Sequence, residues 1–421
     1  MMKRTFLPFC VLLLTLLSAC APAPVQSSSD PPPGASQQPP ASNSPSTPDS
    51  SLNLSETLAP APRLTQEDMD QAIQQVMENY SATALSVAVV ERGEVTQCGA
   101  WGWAVQDQRP MAADTAVRIA SISKVVEGMA AMKLAQDGVL DLDAPLSSYW
   151  GERVQNPYSL RQPSPRSLMT HSSTLKDLEM TRGLDRLTSI LSRTSSWRDR
   201  EADRADSWAY SNFGMCIFGT TLELASGQLL DDYLQAQFFG PLDINASFHA
   251  ARLSPEQLAN LYEPKGVLCR SIQTQISQPV PTEIGMGATY YAGGLTISAR
   301  DMAKLLAVLC GDGTYQGTQY LLPQTVAAME TPQFTVSNGE YTPFQQCLVL
   351  RRQDGLWGQS QLCYHTGSGY GVYSLMSYNP ETGNGVVVIT TGAYWNVNEH
   401  GLYALCSDLS EALYQRMETA L

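Results

Sequence analysis

The 421-residue sequence predicts an α/β fold. An antiparallel sheet is expected from both ends of the folded chain, with flanking helices and an inserted, mainly helical region between its halves. Three observations carry this. "ALSVAVVERGEVTQCGAWGWA", from Ala84, reads as two strands around a turn at Arg92-Gly93. Near the other end, "GVYSLMSYN" and "NGVVVITTG" read as strands joined by an Asn-Pro-Glu-Thr-Gly turn. Between about 140 and 290, helical patches alternate with Pro- and Ser-rich connections, with little strand signal.

Taken in chain order, residues 1–19 read as an export signal. Lys3 and Arg4 form its charged start, and "TFLPFCVLLLTLL" is shorter than the roughly 20 apolar residues that a membrane helix needs. It ends in Leu17-Ser18-Ala19-Cys20, which resembles the lipobox of a bacterial lipoprotein. Cys20 is therefore expected to be diacylated and to become the new N-terminus, placing the protein on the outer face of the cell membrane. The alternatives are ordinary cleavage with a free Cys20, or an uncleaved anchor. Residues 20–64 are expected to be a disordered tether. Its stretch from 21 to 62 holds eleven prolines and no aromatic or basic residue, too little apolar surface to offset ordering entropy. As a flexible chain it reaches on the order of 40 Å.

The folded part, 65–421, opens on a helix: Thr65 and Asp68 form a capping box, and Met69, Ile73, Val76, Met77 and Tyr80 recur at helical spacing. A second helix is expected from Ser121 to about Gln136, stopped by Asp137-Gly138. "TISARDMAKLLAVLCGDG" is another, with Ser298 and Asp301 as a capping box. "QQCLVLRR" reads as a strand. A closing helix places Leu402, Leu405, Leu409 and Leu413 on one face. A cleft between sheet and helical insert is the natural place for a site.

Composition excludes some functions. With 26 basic against 40 acidic residues the formal charge is -14, and no basic run follows the leader. Nucleic acid is a poor partner for such a chain. Seven cysteines follow Cys20, without the close CxxC spacing of a zinc site. Most are expected to be small buried hydrophobes.

Several catalytic patterns are missing. There is no Gly-x-Ser-x-Gly elbow, no Walker loop, no dinucleotide glycine fingerprint, and the four histidines form no HExxH. What remains is a serine with a neighbouring base. In "VRIASISKVVEGM", Ser121 and Lys124 sit three apart and share one helix face. Burial and the helix N-terminus both disfavour a protonated lysine, pushing the amine toward acting as a base. Equally, Ser121 could be a cap and Lys124 a side chain reaching for water. "SSTLK" offers a second such pair, Ser173 and Lys176, so spacing alone does not decide. Two further stretches add chemistry: "WAYSNFG" sets Tyr210 and Asn212 two apart, and "CYHTGSGYG" sets His365-Thr366-Gly367-Ser368 at a strand edge, where glycines would let a substrate backbone approach closely.

Ser-x-x-Lys, then Tyr-x-Asn, then His-Thr-Gly, in that order, resembles the penicillin-recognising serine hydrolases. The nearest branch is that of class C β-lactamases and secreted DD-carboxypeptidases. "DGVLDLDAPLSSYW", "SLMTHSSTL" and "AGGLTISARDMAKLL" are similar to further landmarks of that family, so the resemblance covers most of 66–421. It sets aside Ser173/Lys176, which falls inside the second of these landmarks. It also sets aside the late Tyr394-Trp395-Asn396, which follows His365 instead of preceding it. The resemblance implies a β-lactamase/transpeptidase-like fold and an acyl-Ser121 intermediate. Lys124 and Tyr210 would share the proton work, the base being one or the other. Asn212 would bond Lys124 and the substrate amide. The N–H groups of Ser121 and Ser368 would form an oxyanion hole, and His365 and Thr366 would line the substrate strand and bind its carboxylate.

No metal or organic cofactor is implied. The substrate is expected to be a D-Ala-D-Ala peptide end of the cell wall, with a β-lactam second and an ester or D-amino-acid amide third. A non-catalytic wall-binding or sensor protein would not require a base beside the serine. Two departures matter: His365 stands where class C lactamases usually carry Lys, and Tyr364 where many members have Gly, a bulk that could narrow the cleft.

Overall fold

Leu85, Val87 and Val89 alternate with Ala84, Ser86, Ala88 and Val90, and all seven side chains are buried. A strand with this pattern must be covered on both faces. The computed structural model describes residues 65–337 and 339–419; the export signal, Cys20 and the tether lie outside the described residues. Among these residues a nine-stranded sheet is the central layer. Its strands are β1 (Ala84–Glu91), β2 (Glu94–Val105), β3 (Arg109–Pro110), β4 (Phe334–Val336), β5 (Phe344–Gln346), β6 (Arg351–Gln353), β7 (Leu362–Gly369), β8 (Val372–Asn379) and β9 (Asn384–Thr391). The spatial order is β4-β5-β6-β7-β8-β9-β1-β2-β3, antiparallel throughout.

The two ends of the chain meet where β1 pairs with β9, from Ala84 opposite Thr391 to Val90 opposite Gly385. The predicted turn between β1 and β2 is present. Arg92 and Gly93 have φ of 54° and 78°, the two left-handed residues that a tight hairpin uses.

Five longer helices matter here: α1 (Gln66–Tyr80), α2 (Ser123–Gln136), α3 (Asn212–Ser226), α4 (Ala299–Cys310) and α5 (Ala404–Thr419). Period-two alternation divides their partners. Leu85, Val87, Val89, Val386 and Val388 face α1 and α5, whose Met69, Ile73, Leu405 and Leu409 complete that layer. Ala84, Ala88, Val90, Val387 and Ile389 face the other way, toward a larger core built with α2, α3 and α4. Each such Val, Leu, Ile or Met side chain contributes about 1.5–3 kcal/mol on burial.

The Thr65/Asp68 box forms in both directions. At α4 only half forms: Ser298 accepts from the Asp301 N–H, while the Asp301 carboxylate pairs with Lys304 at 3.0 Å. Between α2 and α4, apart from α3, the chain runs mostly through short helices and turns, with one small hairpin, Leu261–Glu263 against Val267–Arg270.

"QQCLVLRR" departs from expectation. It is a hairpin, not one strand: β5 ends at Gln346, Val349 turns with φ 56°, and β6 starts at Arg351. Its tip is apolar because it plugs the helical layer. Gly128 of α2 leaves room for Val349, whose Cγ2 would lie 2.4 Å from a Cβ at that position. A short apolar run reads alike as strand or buried turn.

Candidate active site

The predicted helix from Ser121 begins at Ser123 instead; Ala120–Ile122 is a 3-10 turn before it. Ala120 has φ 51°, a left-handed conformation costing a non-glycine residue about 1–3 kcal/mol. Three bonds hold the turn there. Ser123 Oγ donates to the Ala120 carbonyl at 2.6 Å and accepts from the Leu295 N–H at 3.2 Å. From the sheet, Ser374 Oγ donates to the Ile119 carbonyl at 2.7 Å. Ser121 is thereby presented, half-buried, at the mouth of a cleft of about 380 Å³.

Lys124 is fully buried in α2. Its Nζ lies 3.0 Å from Ser121 Oγ and 3.0 Å from Asn212 Oδ1, and it also donates to the Ala292 carbonyl. Asn212 Oδ1 and the Ala292 carbonyl can only accept, whereas the Ser121 hydroxyl can also donate. Ser121 is thus the one partner able to give Lys124 a proton, the contact a general base needs. One turn on, Glu127 is fully buried with neither oxygen hydrogen-bonded. Burial drives its carboxyl well above the usual range, and the Lys124 charge draws it back only in part.

Tyr210 and Asn212 come from the start of α3, and that start is pinned by residues far away. Ser211 Oγ donates to Asp177 Oδ1 at 3.0 Å and accepts from the Gly214 N–H at 2.8 Å; the Phe213 N–H also reaches Asp177, at 2.9 Å. His171 fixes the residues before it. Its carbonyl accepts from the Ala209 N–H at 2.8 Å, its Nδ1 accepts from the Ser211 N–H at 3.3 Å, and its ring packs 4.4 Å from that of Tyr210. The stretch "THSSTL" therefore acts as the seat of the tyrosine. Lys124 Nζ lies 5.1 Å from the Tyr210 ring centroid.

The third motif lies on β7. Leu362–Tyr364 pair with β6, which ends there, so the β6-facing edge of the strand from His365 onward is free to receive an extended substrate. Tyr364 does not narrow the cleft: it is fully buried in the layer of α1 and α5, on the opposite face of the strand. Gly367 is required for a different approach from the one expected. A Cβ there would sit 2.6 Å from the Ile119 carbonyl and 2.9 Å from the Ser121 N–H, so it is the protein's own backbone that comes close.

His365, Thr366 and Ser368 line the cleft with Ser121, Tyr210 and Asn212. Burial, and then the charges of Arg351 and Lys124, hold His365 well below the usual imidazole range. Its Nδ1 bonds the Thr366 carbonyl at 2.7 Å and so carries the proton, leaving Nε2 as an acceptor. An uncharged ring brings no charge to a carboxylate. Arg351 does: it lines the same cleft from β6, stacked 4.6 Å over Phe344. No motif flags Arg351, since strand register alone sets it opposite Tyr364.

The decoys stand apart. Ser173 is buried, while Lys176 Nζ donates to the Ser195 carbonyl at 2.8 Å. Of the late Tyr-Trp-Asn, only Trp395 lines the cleft. The seven cysteines among the described residues are free thiols, five of them buried.

A three-layer fold with a lysine-backed serine between sheet and helical region defines a β-lactamase/transpeptidase-type architecture. The β-lactamase family model matches residues 69–405, and the chain belongs to that family. A similar solved structure is the octameric penicillin-binding protein homologue from Pyrococcus abyssi, with a TM-score of 0.64 at 20% identity, covering 84% of this chain and 76% of that one. Among sequences, the putative fimbrial assembly protein FimD, serogroup D, from Dichelobacter nodosus is 23% identical over 57% of this chain and 60% of its own length. A D-aminopeptidase from Brucella anthropi is 27% identical over 40% of this chain and 33% of that protein. The chain thus spans less than two thirds of either relative.

Proposed function

We propose that the protein is an extracytoplasmic serine hydrolase that works through an acyl-Ser121 intermediate, with D-Ala-D-Ala peptide ends as substrate. The observation that carries the chemistry is the fully buried Lys124 held between Ser121 Oγ and Asn212 Oδ1. Ser121 Oγ attacks the scissile carbonyl as its proton passes to Lys124 or Tyr210. Charge developing on the carbonyl oxygen is met by the Ser121 and Ser368 N–H groups. Tyr210 then protonates the leaving nitrogen, and water later hydrolyses the ester.

A peptide suits the free edge of β7, and Arg351 beside Thr366 suits its terminal carboxylate. The relative named a D-aminopeptidase supports a substrate containing a D-residue. Export and lipidation at Cys20 would set the protein on the outer membrane face, within reach of wall peptides.

Intact-mass measurement after incubation with benzylpenicillin tests the nucleophile. A covalent adduct is expected on wild type and none on Ser121→Ala; an adduct on the variant would overturn the assignment. Turnover of a D-Ala-D-Ala peptide, a chromogenic cephalosporin and a short-chain ester then ranks substrates, and cephalosporin turnover outrunning the peptide would overturn the peptidase reading. Fatty-acid labelling should vanish in Cys20→Ala.

A further inference from the structure

On the far side of Ser121 from Arg351, two guanidinium groups flank one tyrosine ring. Arg118 Cζ lies 4.8 Å and Arg270 Cζ 3.7 Å from the Tyr370 centroid. Arg118 spends its Nε on the Gly293 carbonyl at 2.8 Å. Among the described residues, arginines paired with carboxylates lie elsewhere, at Arg161, Arg166, Arg204, Arg252 and Arg352. Two adjacent cations without an acid partner are unusual in a chain of net charge -14. They repel each other, and a bound anion relieves that repulsion.

Both arginines line a cavity of about 340 Å³ with Tyr290, Gln275 and Gln278. It is joined to the catalytic serine. A smaller cavity of about 180 Å³ shares Arg118 and Tyr370 with it, and shares Ser121, Asn212 and Ser368 with the main cleft. Ser121 therefore sits between two arms. Tyr210, which protonates the leaving nitrogen in the proposed reaction, lines the Arg351 arm and not the other. The leaving group departs along the Arg351 arm, so the acyl portion extends toward Arg118 and Arg270.

We propose that the Arg118/Arg270 arm is an anion subsite that takes a carboxylate carried on the acyl portion of the substrate, remote from the scissile bond. Its direction rests on the acyl-enzyme reading above; its charge preference rests on the two arginines alone. The test separates the two. Binding of glutarate and of its neutral isostere glutaramide is measured by calorimetry on the full-length protein and on Ser121→Ala. Glutarate is expected to bind about tenfold or more tightly than glutaramide to both, a difference of about 1.4 kcal/mol. Arg270→Gln should bring the ratio toward one, Arg270→Lys should restore part of it, and Arg351→Gln, which removes the other proposed carboxylate partner, should lower it less than Arg270→Gln does.

Equal binding of the two compounds overturns the subsite. So does a preference abolished by Arg351→Gln and kept by Arg270→Gln, which would place the anion in the main cleft. The 4-nitrophenyl half-ester of glutarate and its methyl diester then test direction: kcat/KM should favour the half-ester, by a ratio that falls in Arg270→Gln. Equal kcat/KM values would overturn the direction. If neither ester acylates Ser121, the hydrolase reading and the direction drawn from it fail, while the binding ratio still decides the subsite.

Discussion

Replacing Gly367 by alanine probes the gap between β7 and the nucleophile turn. The added methyl would lie 2.3 Å from Ser374 Oγ, 2.6 Å from the Ile119 carbonyl oxygen and 2.9 Å from the Ser121 nitrogen. The hydroxyl can rotate away, at the cost of its 2.7 Å bond to Ile119. The two backbone atoms cannot. Restoring ordinary contacts of about 3.5 Å therefore requires strand and turn to part by roughly 1 Å. Overpacking on this scale costs about 1–3 kcal/mol of stability. The effect on reactivity is larger, because the two N–H groups assigned to the oxyanion hole stand on opposite sides of the widened gap. A misplacement of about 1 Å costs on the order of a hundredfold, and loss of one such donor about 10²–10³. Stopped-flow acylation by benzylpenicillin should fall at least about a hundredfold, while urea unfolding shows a folded protein weakened by about 1–3 kcal/mol. Adding Ser374→Ala should not restore the rate, since both backbone clashes remain. A folded Gly367→Ala protein that acylates within about threefold of wild type would show that the Ser121–Ser368 gap does not bind the oxyanion.

Asn212→Ala removes one of the two acceptors that orient the Lys124 amine, and should slow acylation by about 10–100-fold; an unchanged time course of adduct mass would refute that role. Arg351→Gln should raise KM for a D-Ala-D-Ala peptide about tenfold with a smaller change in kcat, whereas a loss confined to kcat would exclude it as the carboxylate's partner. Two buried groups give opposite pH dependences. Burial lowers His249 to about 4, so its contribution is complete above the ordinary imidazole value and is lost as pH falls toward 4, about 3 kcal/mol in all. Burial raises Glu330 to about 7, so its contribution is complete below the ordinary carboxyl value and is lost as pH rises through 7, about 2 kcal/mol after allowance for partial exposure. Relative to wild type, Glu330→Gln should gain stability between pH 5 and 8 in urea unfolding and His249→Gln should gain it between pH 6.5 and 4; variants that merely shift the profile in parallel would refute both assignments.

What was legible in the sequence is what local spacing encodes. The run from Ala84 marked two strands, and Arg92-Gly93 marked the turn between them. Ser121 and Lys124, Tyr210 and Asn212, and the run from His365 are each set by neighbours in the chain, and the structure brings all three around one cleft. Residues whose place depends on another segment were not legible. His171 seats Tyr210 from about forty positions upstream, with a left-handed φ of 55° that no pattern announces. Arg351 enters the cleft because "QQCLVLRR" folds back on itself, and the apolar run that hides this hairpin is apolar for a reason of packing at Gly128.

This division has a chemical consequence. The groups that activate a serine must touch one another, so their spacing is constrained and shows as motifs. The groups that choose the substrate touch only the substrate, and any strand or loop that borders the cleft can supply them. His365 illustrates the limit: read as a motif it was expected to bind a carboxylate, yet as an uncharged ring buried beside Arg351 it leaves the charge to a residue from another strand. Arg270 is the parallel case, contributed to the opposite arm by the hairpin Leu261–Arg270 within the inserted region. On the proposed reading, reaction type is written in the motifs, while substrate choice is written in the loops and hairpins that bring Arg351 and Arg270 to either side of Ser121.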